Sequence, residues 1–160
     1  MRFTHASMVA ISLVAPSMVH PVAAKPMPGK MHPVNRLFLR ALAKVEYAGK
    51  GKAPAGDQGL AVGCLQIHDV YMREANRILG FPAFNSKDRR DREASFEMAR
   101  IVLTHHGRRY AKMGYNIGPA ELASIHRIQY GWSPKNLFTK LEEGRTKRLY
   151  TYLHEMSSNR

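Results

Sequence analysis

The chain has 160 residues, and 25 Lys+Arg against 12 Asp+Glu give a formal net charge of +13. That length fits one domain, a hydrophobic content of 44% supports a core, and no run approaches the roughly 18 consecutive apolar residues of a membrane span. A single cysteine, Cys64, excludes an intramolecular disulfide and a cysteine-based zinc cage.

Residues 1–24 read as a cleavable export signal. Arg2 and His5 precede the apolar run from Met8 to Ala15, no acidic residue occurs, and Val22-Ala23-Ala24 supplies small residues for cleavage. Pro16 and Pro21 argue against a first helix of the domain in this stretch. Residues 25–33, with Pro26, Pro28 and Pro33, read as an extended lead-in, and residues 34–160 as the folded domain.

Within that domain, Val34, Leu37, Phe38, Ala41, Leu42 and Val45 fall on one helical face, and Gly49 is the expected stop. Residues 49–64 are glycine-rich, with Gly56-Asp57-Gln58-Gly59 as a turn signal, and suit an irregular loop or short strands. Asp69 is placed to cap a helix through Leu79, stopped by Gly80 and Pro82. A longer helix is expected from Ser86 to His106, with Ala94, Met98, Ile101, Val102 and His105 on its core face. After a break at Tyr115–Pro119, helices are expected from Glu121 to Tyr130 and from Ser133-Pro134 to Leu141. Leu149, Tyr152, Leu153 and Met156 mark a last one. The expected class is mainly α, with a small loop or hairpin insert.

Most carboxylates sit among arginines and read as solvated helix faces: Asp88, Asp91, Glu93, Glu97 and Glu142-Glu143. Glu46 and Asp57 differ. Glu46 follows the buried position Val45 at a helix end, where the dipole and partial burial favour a held proton near neutral pH. Asp57 lies in a hydrated turn near backbone N–H groups and should stay ionised. Two carboxyls so contrasted suit glycosidic-bond cleavage. Taken alone, they equally suit a helix-end Glu and a turn Asp without chemistry.

The surrounding residues extend the pattern. Val45-Glu46, the run Gly56-Asp57-Gln58-Gly59-Leu60-Ala61-Val62-Gly63-Cys64-Leu65-Gln66-Ile67-His68, and Gly114-Tyr115-Asn116-Ile117-Gly118-Pro119 occur in order over about half the chain. Together they resemble the catalytic stretch of the lysozyme-like superfamily, which includes invertebrate-type lysozymes and Slt-type lytic transglycosylases. The resemblance implies an α+β lysozyme-like fold with a cleft between the Glu46 helix and the Asp57 segment. It implies cleavage of peptidoglycan glycan strands, with Glu46 as general acid and Asp57 as second carboxylate. Gln66, His68, Tyr115 and Asn116 match substrate-contacting positions, although His68 equally fits a structural hydrogen bond. Two departures stand out: Tyr47 replaces the serine that usually follows the catalytic Glu, and the single cysteine separates this chain from the disulfide-rich invertebrate enzymes. A bacterial or phage-like branch is the expectation. A lytic transglycosylase using Glu46 alone, and a non-catalytic wall-binding protein, are the alternatives.

No cofactor or metal is expected: the chain has no phosphate-binding loop and no H-E-x-x-H, and His105-His106 project to different helix faces. Cys64 reads as a small buried hydrophobe. Arg89-Arg90, Arg92, Arg100, Arg108-Arg109 and Lys147-Arg148 could form a nucleic-acid surface, but no helix-turn-helix or aromatic interleaving accompanies them. The charge better suits acidic envelope polymers. The expected partners are therefore glycan strands and those polymers, without nucleic acid or stable membrane insertion. The expected state is a secreted or periplasmic monomer.

Overall fold

The structure, a computed structural model, describes residues 27–47, 55–128 and 143–158. The expected export signal, Gly49, the end of the helix expected to Tyr130 and the helix expected at Ser133–Leu141 lie outside the described residues. The described part is mainly helical: α1 (Arg36–Glu46), α2 (Asp69–Leu79), α3 (Arg92–Lys112), α4 (Pro119–Arg127) and α5 (Glu143–Ser158), with 3₁₀ turns at Asp57–Gly59 and Asp88–Arg90. None of these helices is long and apolar enough to cross a membrane.

Helix α1 starts where the Asn35 side chain accepts the Phe38 N–H (2.9 Å), which satisfies one of the unpaired donors of the first turn. It buries Phe38, Leu39, Ala41, Leu42, Ala43 and Val45 and ends at Glu46, where the Tyr47 N–H closes the last turn on Ala43 (2.8 Å). Helix α5 packs chiefly against α1, with Leu149 fully buried and Tyr152, Leu153 and Met156 against the core, as their spacing predicts. Helix α2 packs against α3 and stops at Gly80 in the left-handed conformation (φ 80°). His68, not Asp69, occupies its N-cap position. Asp69 instead accepts from Arg73 one turn on and from Ser86 Oγ (2.9 Å).

The longest helix departs from its expected bounds at both ends. Ser86 cannot start it, because the chain first turns through Asp88–Arg90, and Asp91 then caps α3 by accepting the Ala94 N–H (2.8 Å). At the far end the helix runs on through Gly107 to Lys112. A Cβ at Gly107 would lie 2.9 Å from Met31 Cε, so the glycine is a notch that receives Met31. The core face also differs by one residue: His105 is exposed and His106 is buried. His106 has a partner there, since its Nε2 donates to Glu74 (2.8 Å), which Arg77 also grips through two hydrogen bonds (2.6 and 2.7 Å). Burial opposes ionisation of Glu74, but the bonds from Arg77 and His106 outweigh it and hold its carboxyl below the usual range. Helix α4 opens at Pro119, two residues before Glu121, because the Glu121 carboxylate reaches back to the Gly118 N–H (2.9 Å).

Residues 27–32 form no helix and are strapped to the domain. Gly29 N–H donates to Ala111 (2.8 Å), Lys30 N–H to Asn116 Oδ1 (3.1 Å), and His32 N–H to Ile117 (2.7 Å), whose own N–H donates to Lys30 (2.8 Å). This makes an isolated parallel bridge between Met31 and Ile117. The glycine-rich insert holds two isolated antiparallel bridges, Gly56 to Ala61 and Val62 to Ile67, rather than continuous strands.

Gly63 carries the close approach of that insert to the rest of the fold. Its φ is +77°, and a Cβ there would lie 2.1 Å from the Arg89 carbonyl oxygen. Gly63→Ala is therefore expected to cost at least about 2 kcal/mol in urea unfolding. Gly59→Ala, also at positive φ but with open space around it, should cost only about 1 kcal/mol.

Stability should also fall on acidification. Burial pushes His106 and His126 below the ordinary histidine value, against the raising influence of Glu74 and Glu46 respectively. Each then binds fewer protons folded than unfolded, so stability rises with pH and is lost as pH drops below about 6.5. Glu74 adds a further loss at lower pH, once its depressed carboxyl titrates. Urea midpoints measured from pH 7.5 to 5 should decrease steadily, and a flat profile would contradict the buried neutral histidines.

Candidate active site

Glu46, Asp57, Gln66 and His68, four of the six residues picked out from the sequence, line one cleft of about 240 Å³. Gly56, Ala61, His126, Arg127 and Arg145 complete its wall. Glu46 comes from the end of α1, and its side chain is 10% exposed. Its Oε2 accepts a hydrogen bond from Arg145 Nη1 of α5 (3.2 Å), so the helix that covers α1 also reaches its terminal carboxylate.

Asp57 begins the 3₁₀ turn, with Asp57 and Gln58 both left-handed (φ 47° and 55°). Aspartate tolerates that region better than most residues because its short side chain can bond locally. The Asp57 side chain is 71% exposed, in contrast to Glu46, and His68 Nε2 donates to its Oδ2 (2.8 Å). His68 is itself buried at the head of α2, so a fixed ring orients an exposed carboxylate.

Gln66 works inside the insert as well as facing the cleft. Its Oε1 accepts the Gly56 N–H (3.1 Å) and its Nε2 donates to the Gly63 carbonyl (2.9 Å), which joins the two turns across the loop. A Cβ at residue 56 would lie 2.5 Å from that Oε1, so glycine there is what permits the contact. Cys64 is half-buried, and burial pushes its thiol up, which does not suit a nucleophile.

His126 lies fully buried beneath the cleft, and no feature of the sequence singled it out. Its Nε2 meets the Leu65 carbonyl (2.8 Å), which can only accept, so Nε2 carries the hydrogen. Nδ1 then accepts from the Tyr71 hydroxyl (3.2 Å). The ring is neutral in this arrangement, consistent with the lowering by burial. Arg145 was also missed. Its position before the apolar stripe of α5 looked like ordinary surface charge, and only the packing of α5 on α1 brings it to Glu46.

Tyr115 and Asn116 are not among the residues lining this cleft. Tyr115 is half-buried against the core, and Asn116 uses Oδ1 to hold the Lys30 N–H of the strap. Arg89, expected on a basic surface, turns inward instead. Its Nη1 donates to the Leu60 and Ile67 carbonyls (both 3.1 Å), which supports the insert from behind. Among the described residues no group of three His, Cys, Asp or Glu side chains could hold a metal ion. No family model, curated protein or solved structure matches the chain.

Proposed function

We propose that this chain is a lysozyme-like glycosidase that hydrolyses the β-1,4 glycan strands of peptidoglycan outside the cytoplasm. The observation that carries the reading is the enclosed Glu46 and the exposed Asp57 lining one cleft, Glu46 held by Arg145 of α5 and Asp57 by His68 at the N-cap of α2. Cleavage requires a proton for the departing oxygen and negative charge near the sugar ring that becomes cationic. Glu46 serves as the acid. Arg145 occupies Oε2, so Oε1 is the oxygen through which Glu46 would meet the substrate. Asp57 stabilises the oxocarbenium centre, and His68 fixes the direction of its carboxylate. Hydrolysis is favoured over lytic transglycosylation because a second carboxylate shares the cleft.

Glu46→Gln keeps the shape of the side chain and removes the transferable proton. Release of soluble fragments from purified peptidoglycan should fall by about 10²-fold or more. Unchanged release would mean that the acid has been misassigned. Asp57→Asn tests the second carboxylate. Asparagine suits the left-handed turn as well as aspartate does, so the fold should persist while turnover drops severalfold or more. Mass spectrometry of the fragments should show reducing ends. Anhydro ends with near-normal activity in Asp57→Asn would instead assign a transglycosylase in which Glu46 acts alone.

A further inference from the structure

A second and larger concavity lies on α3, with no lining residue in common with the Glu46 cleft. It is a groove of about 600 Å³ whose walls carry Arg100, Arg108, Arg109 and Lys112 and whose floor includes Ile78, Ile101 and Met113. All four cations belong to α3, span a rise of about 18 Å along it and line the same groove. Among the described residues no carboxylate lines the groove. Arg100 is held by Glu97 one turn earlier, but Arg108, Arg109 and Lys112 form no ion pair among the described residues. Like charges set so close repel one another, and an anion in the groove would relieve that repulsion.

We infer that this groove is a binding site for a linear phosphodiester polymer of the cell envelope, one with a polyol or sugar backbone. The choice of polymer rests on the peptidoglycan reading above, since such chains share the wall with the glycan strands. Guanidinium groups can grip phosphate oxygens in pairs, whereas Lys112 adds a point charge at the groove's end. Aliphatic carbons of the polymer lie on the Ile78, Ile101 and Met113 floor. A nucleic acid fits less well, because among the described residues His105 is the one ring on the groove, where a single-strand platform stacks successive bases on several.

The test uses the full-length protein and a fluorescently labelled poly(glycerol phosphate) oligomer of about ten repeats, with binding read by anisotropy at low and moderate salt. The double variant Arg108→Glu/Lys112→Glu should weaken binding about tenfold or more and flatten its salt dependence. The milder pair Arg108→Gln/Lys112→Gln should weaken it severalfold, which guards against a folding defect in the first. Lys87→Glu/Arg90→Glu removes as much charge from exposed positions off the groove and should change affinity by less than about threefold. Equal losses in the on-groove and off-groove variants would overturn the site in favour of diffuse attraction by net charge. A single-stranded DNA of equal phosphate number that bound more tightly, with the same dependence on Arg108 and Lys112, would overturn the proposed occupant. The probe contains no glycan, so groove-dependent binding without any cleavage of peptidoglycan would support this site and remove the glycosidase reading instead.

Discussion

Residues 56–68 contain almost no regular structure, yet their backbone carries polar groups that need partners once covered. Side chains from elsewhere in the fold and from the segment itself supply them. Arg89 takes the Leu60 and Ile67 carbonyls, and His126 takes the Leu65 carbonyl. Gln66, from within the segment, takes the Gly63 carbonyl and the Gly56 N–H. The cleft depends on this support, because its opposite wall is the ordered end of α1 and the insert has no ladder of its own to hold a fixed distance from it. A buried carbonyl left without a donor costs about 1–3 kcal/mol, so each of these side chains matters more to the loop than a surface hydrogen bond would.

The same support sustains an unfavourable backbone. Asp57, Gln58 and Gln66 are all left-handed without being glycine, at a cost on the order of 1 kcal/mol or more each. Two of the three, Asp57 and Gln66, lie among the cleft residues, and both have side chains committed to specific bonds. The strain therefore sits where the orientation of a polar side chain is fixed, not in the helices. His68 and His126 fill complementary places: one turns an exposed carboxylate, the other anchors a carbonyl beneath the cleft.

Helical periodicity made α1, α2 and α5 legible, because each has a simple apolar face against one main neighbour. It misled on α3, a central helix that touches α1, α2, α4 and the 3₁₀ turn before it. A helix buried on several sides has no single stripe to read, and the exchange of His105 for His106 follows from that. Glu46 stood out because it follows a buried position at a helix end, and Asp57 because it lies in a glycine-rich turn with no lysine or arginine nearer than Lys52. Arg145, His126 and Arg89 could not be read the same way. Arg145 and His126 reach the cleft through contacts spanning 99 and 61 residues, and the partners of all three are set by how the helices pack. Tyr115 and Asn116 illustrate the converse, since an intact local motif does not fix which side of its turn faces the cleft.

The strap has a consequence for the order in which the molecule completes itself. Lys30 leaves the ribosome 86 residues before Asn116, whose side chain receives its N–H. Throughout that interval Met31 has no notch to enter, because Gly107 and Leu122 are still to be made. Contacts of such long sequence separation close late, after the local helices have formed. The beginning of the domain is thus a latch fastened from its far half, and a nascent chain remains open at that seam until most of its length has been synthesised.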